Sequence, residues 1–255
     1  MLSNRQDHPG AWVRSPLGRA VLGTERLVIR RLLAAQGGFN MLTLGDWGAG
    51  ARGWPSLDFA GHQLRVTRGG GGSVRGRPER LPIESHSVDV VLMPHVLEYA
   101  DDPHAVIREA HRILVPEGRL LLLGFSRFSL WGMRDLFRPV RFPWGARLLA
   151  ETRIADWLRL LNMEVVEVER YFYRPPTDRA GLLRRSRFLE RWGRSAWPGP
   201  WPSAGYAALA RKRVPGRTVI RPAWREQQRA VSPPATAAGQ GRSALRRKTG
   251  DRELG

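Results

Sequence analysis

The chain has 255 residues, enough for one α/β core with appended segments, and its 42 Lys and Arg against 23 Asp and Glu leave a formal charge of +19. That charge gives the surface an attraction for polyanions and anionic membrane, so nucleic acid is a candidate partner, although an arginine-rich composition scattered through the chain produces the same total. The absence of cysteine excludes disulfides, thiolate zinc sites and cysteine nucleophiles, and no metal site is expected. The N-terminal residues lack a signal-peptide core, and no run approaches the roughly 20 apolar residues that span a bilayer, so a soluble, cytoplasmic protein is the expectation.

Residues 1–14 read as irregular. Ser15 and Pro16 then supply an N-cap and a first-turn proline, Leu17, Val21, Thr24 and Val28 follow at helical spacing, and Gly37-Gly38 stops the helix, so residues 1–36 form an N-terminal segment and helix. FNMLTLG (39–45) is a short apolar strand running into the turn Gly45-Asp46-Trp47-Gly48-Ala49-Gly50. Glycines after a first strand let the backbone turn tightly and bring its amides close to a ligand. A second strand is predicted within 57–67, with HQLRVT (62–67) at its heart. Arg68 and the glycines 69–72 follow as a loop, and 76–80 lead into Leu81-Pro82.

Residues 81–125 are the best-defined stretch: LPIESHSVDVVLMPHVLEYADDPHAVIREAHRILVPEGRLLLLGF. An apolar strand (88–93) precedes a loop (94–100). Asp102 and Pro103 start a helix, and Val106, Ala110, Ile113 and Leu114 share its packed face. Pro116-Glu117-Gly118 turns the chain into a strand of four leucines, buried on both sides. This is a βαβ unit, and its 94–100 loop falls at the carboxyl end of a parallel strand, where open α/β sheets bind ligands.

Phe128, Trp131, Phe137, Phe142 and Trp144 then interleave with Arg127, Arg134, Arg138 and Arg141, as either a cover over a ligand or an amphipathic segment with an ordinary core face. A helix is predicted over 152–161, ended by Asn162, and then a strand in which Val166 and Val168 alternate with Glu167 and Glu169. Pro175-Pro176 ends that strand. A short basic helix over 179–192, a Trp- and Pro-rich turn over 197–202 and a last strand, GYAALARKR (205–213), complete the fold. Residues 214–255 form a basic tail whose composition predicts disorder.

The succession of glycine turn and 81–125 unit resembles class I S-adenosylmethionine-dependent methyltransferases, in particular the type 11 methyltransferase domain. The resemblance implies an α/β, Rossmann-like three-layer sandwich over 37–213, with a mostly parallel seven-stranded sheet ending in an antiparallel hairpin and with 126–150 and 174–203 as insertions covering the site or the sheet edge. It implies an enzyme that binds S-adenosylmethionine through Gly45, Asp46, Trp47, Gly48 and Gly50, through Arg80 and Leu81, and through Pro94, His95 and Val96. No catalytic residue is assigned: His95, Glu98 and Tyr99, on the loop after the fourth strand, are the candidates, with lining the cofactor, a structural role for His95 and orienting the loop for Glu98 as the alternatives. Three positions depart from the family pattern: the first glycine falls on Asp46, or else on Gly45 with one residue inserted, Arg68 follows the second strand without a ribose-binding acid, and Arg77 occupies about the place of an acid that meets the adenine amine. Asp58 is another source of a ribose acid.

Methyl transfer from a sulfonium is an in-line displacement that needs orientation first and a base only for an acceptor that must lose a proton. The expected acceptor is a small molecule, an aromatic-rich cover favouring a planar or apolar one. The alternative is a basic nucleic-acid-binding protein on a degenerate methyltransferase scaffold. A nicotinamide oxidoreductase ranks last, because G-x-G-x-x-G and its downstream acid are both missing.

Overall fold

The computed structural model describes residues 12–34, 40–48, 61–69, 72–127, 129, 131–132, 146–190 and 203–214. Ser15 caps α1 (Pro16–Leu33) by accepting the Gly18 N–H at 3.0 Å. The sheet contains β1 (Asn40–Leu44), β2 (His62–Thr67), β3 (Val74–Arg75), β4 (Val88–Pro94), β5 (Leu114–Phe125), β6 (Met163–Tyr171) and β7 (Gly205–Lys212) in the order β3-β2-β1-β4-β5-β7-β6. Pairing is parallel from β3 across to β5, and β7 runs antiparallel to both β5 and β6. Further helices among the described residues are α2 (Pro103–Ile113), α3 (Glu151–Leu160) and α4 (Ala180–Arg185). No helix among the described residues is long and apolar enough to cross a membrane.

Strand alternation divides the core in two. One face of the sheet, through Val90, Leu92, Leu121 and Leu123, packs against Val21, Val28 and Ile29 of α1 and Leu183 of α4. The other face, through Val91, Met93, Leu120 and Leu122, packs against Val106 and Ala110 of α2 and Ile154 and Leu158 of α3. The central strands are therefore buried on both sides, as a helix-covered parallel sheet requires.

Asp102 accepts the Ala105 N–H at 3.1 Å, so the Asp-Pro start of α2 is a working cap. After Ile113 the chain passes straight into β5. The β4–β5 ladder jumps from Val88↔Leu114 to Val90↔Arg119, leaving 115–118 as an excursion with Glu117 at φ +63°. The predicted Pro-Glu-Gly turn lies inside the strand bounds rather than before them. Lys212 is buried at the end of β7, and its Nζ donates to the His111 and Leu114 carbonyls at 2.7 Å, closing the carboxyl end of α2. Burial lowers the Lys212 pKa.

The predicted strand of Val166 and Val168 forms as β6, with both valines exposed because β6 is the sheet edge and its ladder is irregular between Val165 and Glu167. The edge is lined by ion pairs instead, Glu164 with Arg211 and Arg213, and Glu169 with Arg31, which discourage pairing with another strand. The helix predicted over 179–192 is interrupted: α4 ends at Arg185, where the Ser186 hydroxyl turns back onto the Leu183 carbonyl at 3.2 Å. The predicted tail beyond 214 lies outside the described residues.

Both capped helices support strands of the core. Ser15→Ala and Asp102→Ala should each lower unfolding free energy by about 1 kcal/mol, read as a reduced urea midpoint at unchanged slope.

Candidate active site

The strand order reverses between β1 and β4, the crossover at which doubly wound sheets leave a crevice at their carboxyl ends. Gly45 opens the turn after β1. Its N–H continues the parallel ladder to the Val66 carbonyl at 2.9 Å, its φ is +88°, and a Cβ there would lie 2.9 Å from Val96 Cγ2. Conformation and space both require glycine. Asp46 is exposed; crowding raises its carboxyl pKa, against Arg65 and Arg68, which lower it. Trp47 and Gly48 are buried, and Gly48 is also left-handed, with φ +71°. Gly50 and Asp58 lie outside the described residues.

Across from this turn, Pro94, His95 and Val96 are buried, and the His95 N–H donates to the Leu123 carbonyl at 2.9 Å. The His95 ring lies between two carboxylates: Nε2 is 2.9 Å from Glu25 Oε1 on α1, and Nδ1 is 3.0 Å from Glu98 Oε1. Glu25 also accepts the Trp47 indole N–H at 2.8 Å and the Tyr171 hydroxyl at 3.1 Å. Glu98 Oε1 accepts the Phe125 N–H at 2.9 Å. Trp47 and Phe125 close over the imidazole, with ring centroids at 4.3 and 4.1 Å. Burial disfavours the charged ring, but the charges of Glu25 and Glu98 and their hydrogen bonds overcome it and push the His95 pKa up to about 9. At neutral pH His95 is an imidazolium donating from both nitrogens.

Such a ring has no lone pair for a substrate proton. Burial and the charge of Glu98 push the Tyr99 pKa up, so that phenol stays neutral. Glu98 Oε1 is engaged twice, while Oε2 is buried without a hydrogen-bond partner among the described residues. The two carboxylates bind opposite ring nitrogens and share no point between them for a cation.

The other named positions sit further along the edge. Leu81 is buried, its N–H held by Glu109 at 3.0 Å and its carbonyl by Arg112 at 3.2 Å, while Arg112 also grips the Ile83 carbonyl at 3.0 Å. Arg80 is exposed and its N–H donates to the Arg77 carbonyl at 3.0 Å. Arg68, at the end of β2, pairs with Glu79 and lies 3.7 Å from Asp101. Glu79 Oε2 is buried and unpartnered among the described residues. Trp131 belongs to the core, its indole N–H donating to the Arg174 carbonyl at 3.0 Å, and the other aromatics proposed as a cover lie outside the described residues.

Sequence reading missed Glu25 and Glu79. Glu25 carried a signal: it falls four residues after Val21 and four before Ile29, a carboxylate inside the apolar stripe of α1. Glu79 carried none, because only the return of the chain past β3 brings it to Arg68.

A parallel sheet that reverses only at β7, with its ligand edge at the β1–β4 crossover, is the architecture of the class I methyltransferases. Residues 56–122 match the family model described as "Methyltransferase domain". The chain is 32% identical over 178 residues to the Escherichia coli K12 protein YafS, a stretch covering 69% of this chain and 73% of that one. It is 29% identical over 111 residues to the ubiquinone biosynthesis O-methyltransferase of Xanthomonas oryzae, covering 40% of this chain and 46% of the relative. A solved S-adenosylmethionine-dependent methyltransferase of Thermotoga maritima superposes with a TM-score of 0.59 at 18% identity, covering 80% of this chain and 94% of that one. The chain belongs to the S-adenosylmethionine-dependent methyltransferases of the class I fold.

A histidine whose pKa is raised on folding stabilises the fold fully below its unfolded value of 6.5, and that stabilisation is lost as pH rises through about 9. Stability should therefore fall between these pH values, by on the order of 3 kcal/mol from His95. Glu25→Gln removes one of the two charges and should move the decline to lower pH and shrink it, which denaturant titrations at several pH values will show.

Proposed function

We propose that this methyltransferase holds S-adenosylmethionine across the carboxyl edge of β1, β2 and β4 and methylates a small acceptor bearing a planar, quinone-precursor-like ring. The observation that carries the cofactor site is Gly45, left-handed, with no room for a side chain, and facing Val96 across the crossover. The backbone of Gly45, Asp46, Trp47 and Gly48, with Gly50 beyond, receives the methionine end. Pro94, His95 and Val96 form the opposing wall, and Arg80 with Leu81 flanks the adenine. Glu79 takes the place of the acid missing from the end of β2: its buried Oε2 is an acceptor without a donor among the described residues, positioned beside Arg68, and a ribose hydroxyl supplies that donor.

When bound, the cofactor supplies a methyl group on a positively charged sulfur. The chain contributes orientation. Arg112 and Glu109 fix the Leu81 loop, and the ion triad fixes the turn carrying Trp47 and the loop carrying His95, so the two walls hold a constant separation. With His95 protonated and Tyr99 neutral, no described side chain of this wall is assigned as a base, and collinear placement of acceptor and methyl carries the rate. The ring-bearing acceptor is supported by the likeness to a ubiquinone biosynthesis O-methyltransferase, of which less than half is matched.

Calorimetry with S-adenosylmethionine tests the site: binding is expected, with a loss of about tenfold or more in Gly45→Val and a smaller loss in Glu79→Gln. Folded protein that binds no cofactor overturns the site assignment. Transfer of labelled methyl to catechols or polyprenyl phenols tests the acceptor separately; cofactor binding with label going only to other metabolites overturns the ring-bearing class alone.

A further inference from the structure

The charge of this protein is unevenly placed. The layer formed by α1 and α4, with the segments leading into them, carries ten arginines and no lysine over residues 12–34 and 174–190, against the acids Glu25, Asp178 and Glu190. Glu25 is buried in the ion triad and Glu190 is paired with Arg174. The opposite layer is nearly balanced: α2 and α3 carry Arg108, Arg112, Arg153 and Arg159 against Glu109, Glu151 and Asp156. Arg19 and Arg30 on α1, and Arg184, Arg185 and Arg187 on and after α4, are exposed and pair with no carboxylate among the described residues.

Large apolar side chains stand among these cations. Leu27 is 66% exposed on the outer stripe of α1, between Gly23 and Arg31, and Leu182 and Phe188 are 46% and 65% exposed on and beyond α4. The two helices contact one another and share one core cluster beneath, so their outward residues belong to one side of the sheet. Exposed leucine and phenylalanine interleaved with unpaired arginine is the pattern of an element lying in a membrane interface, apolar tips among acyl chains and cations at anionic headgroups. A polyanion such as RNA accounts for the arginines but not for Leu27 and Leu182, which offer it neither charge nor a flat ring to stack on.

We propose that the α1–α4 face docks on the surface of an anionic bilayer. The inner stripe of the same helix places Glu25 against His95, so the docked face lies on the helix that also contacts the loop after β4, while the protein remains peripheral. This holds whatever the acceptor proves to be.

Cosedimentation of the full chain with phosphatidylcholine vesicles, with and without about one third phosphatidylglycerol, tests it. Binding is expected to the anionic vesicles alone. Each arginine at such a surface contributes about fivefold in affinity, so Arg184→Glu/Arg185→Glu/Arg187→Glu should weaken binding roughly a hundredfold. Should that triple variant fail to fold, Arg19→Glu/Arg30→Glu on α1 replaces it, with retained S-adenosylmethionine binding and an unchanged thermal midpoint as the criteria of folding. Leu27→Ser/Phe188→Ser should remove the binding that persists when salt rises from about 0.1 M to about 1 M and the Debye length falls from about 10 Å to about 3 Å. Arg246→Glu/Arg247→Glu/Lys248→Glu, in the tail, should bind as the unaltered chain does. No binding to anionic vesicles overturns the proposal. So does loss confined to the tail variant, indifference to Leu27→Ser/Phe188→Ser, or single-stranded RNA competing the protein off the vesicles while binding the leucine–phenylalanine variant unchanged.

Discussion

A buried imidazolium between two buried carboxylates is the constraint on which the sheet edge at the β1–β4 crossover depends. Removing charges from water is costly, and attraction within the group offsets that cost only when every partner is in place. Here the partners come from separate parts of the chain: Glu25 from α1, Trp47 from the turn after β1, His95 and Glu98 from the loop after β4, the Phe125 N–H from the end of β5 and Tyr171 from the end of β6. Losing one leaves a buried charge or a buried hydrogen-bonding group without its partner. The arrangement therefore behaves as a unit, and α1 is held to the sheet by a geometric specification as well as by its leucines.

Sheet topology explains why such a cluster forms where it does. The strands that supply the turn and the loop are neighbours, β1 and β4, and the ladder Met41↔Val90 to Thr43↔Leu92 sets their carboxyl ends level. Parallel pairing sends the backbone after both strands to the same edge, so a tryptophan three residues beyond β1 and a histidine one residue beyond β4 meet beneath the helix covering that edge. Lys212 and Arg112 do similar work away from the edge, one closing the carboxyl end of α2 with a buried ammonium, the other binding α2 to the loop of Leu81.

Where local chemistry decided the structure, the sequence was legible. Ser15-Pro16 and Asp102-Pro103 each name a helix start through a side chain within reach of an amide three residues on, and the HQLRVT strand matches β2 at both ends. Legibility failed where a partner distant in sequence decided the outcome. The alternation of Val166 and Val168 is a strand signal, but burial depends on whether a neighbour exists on that side, and β6 is an edge. At the candidate site, His95 and Glu98 are visible three residues apart, yet the protonation of His95 depends also on Glu25, 70 residues upstream. Without that partner the reading of a histidine on a ligand-facing loop stays open between structural and catalytic roles; with it, both nitrogens are committed.

α1 shows how one helix carries two separate kinds of information. Its inner stripe is apolar except for Glu25, and this exception fixes which part of the sheet edge the helix must cover, since a carboxylate is tolerated in the core only where an imidazolium, an indole N–H and a phenol converge. Its outer stripe has no such obligation to the fold: Arg19, Leu27 and Arg30 touch water, and helix propensity alone would be served as well by glutamate or alanine at those positions. Folding does not require the charge excess there, which lies on the reverse of the helix whose Glu25 meets His95. The two stripes share one helix backbone, so the element that meets His95 through Glu25 is the same one that carries Arg19, Leu27 and Arg30 on its outer side.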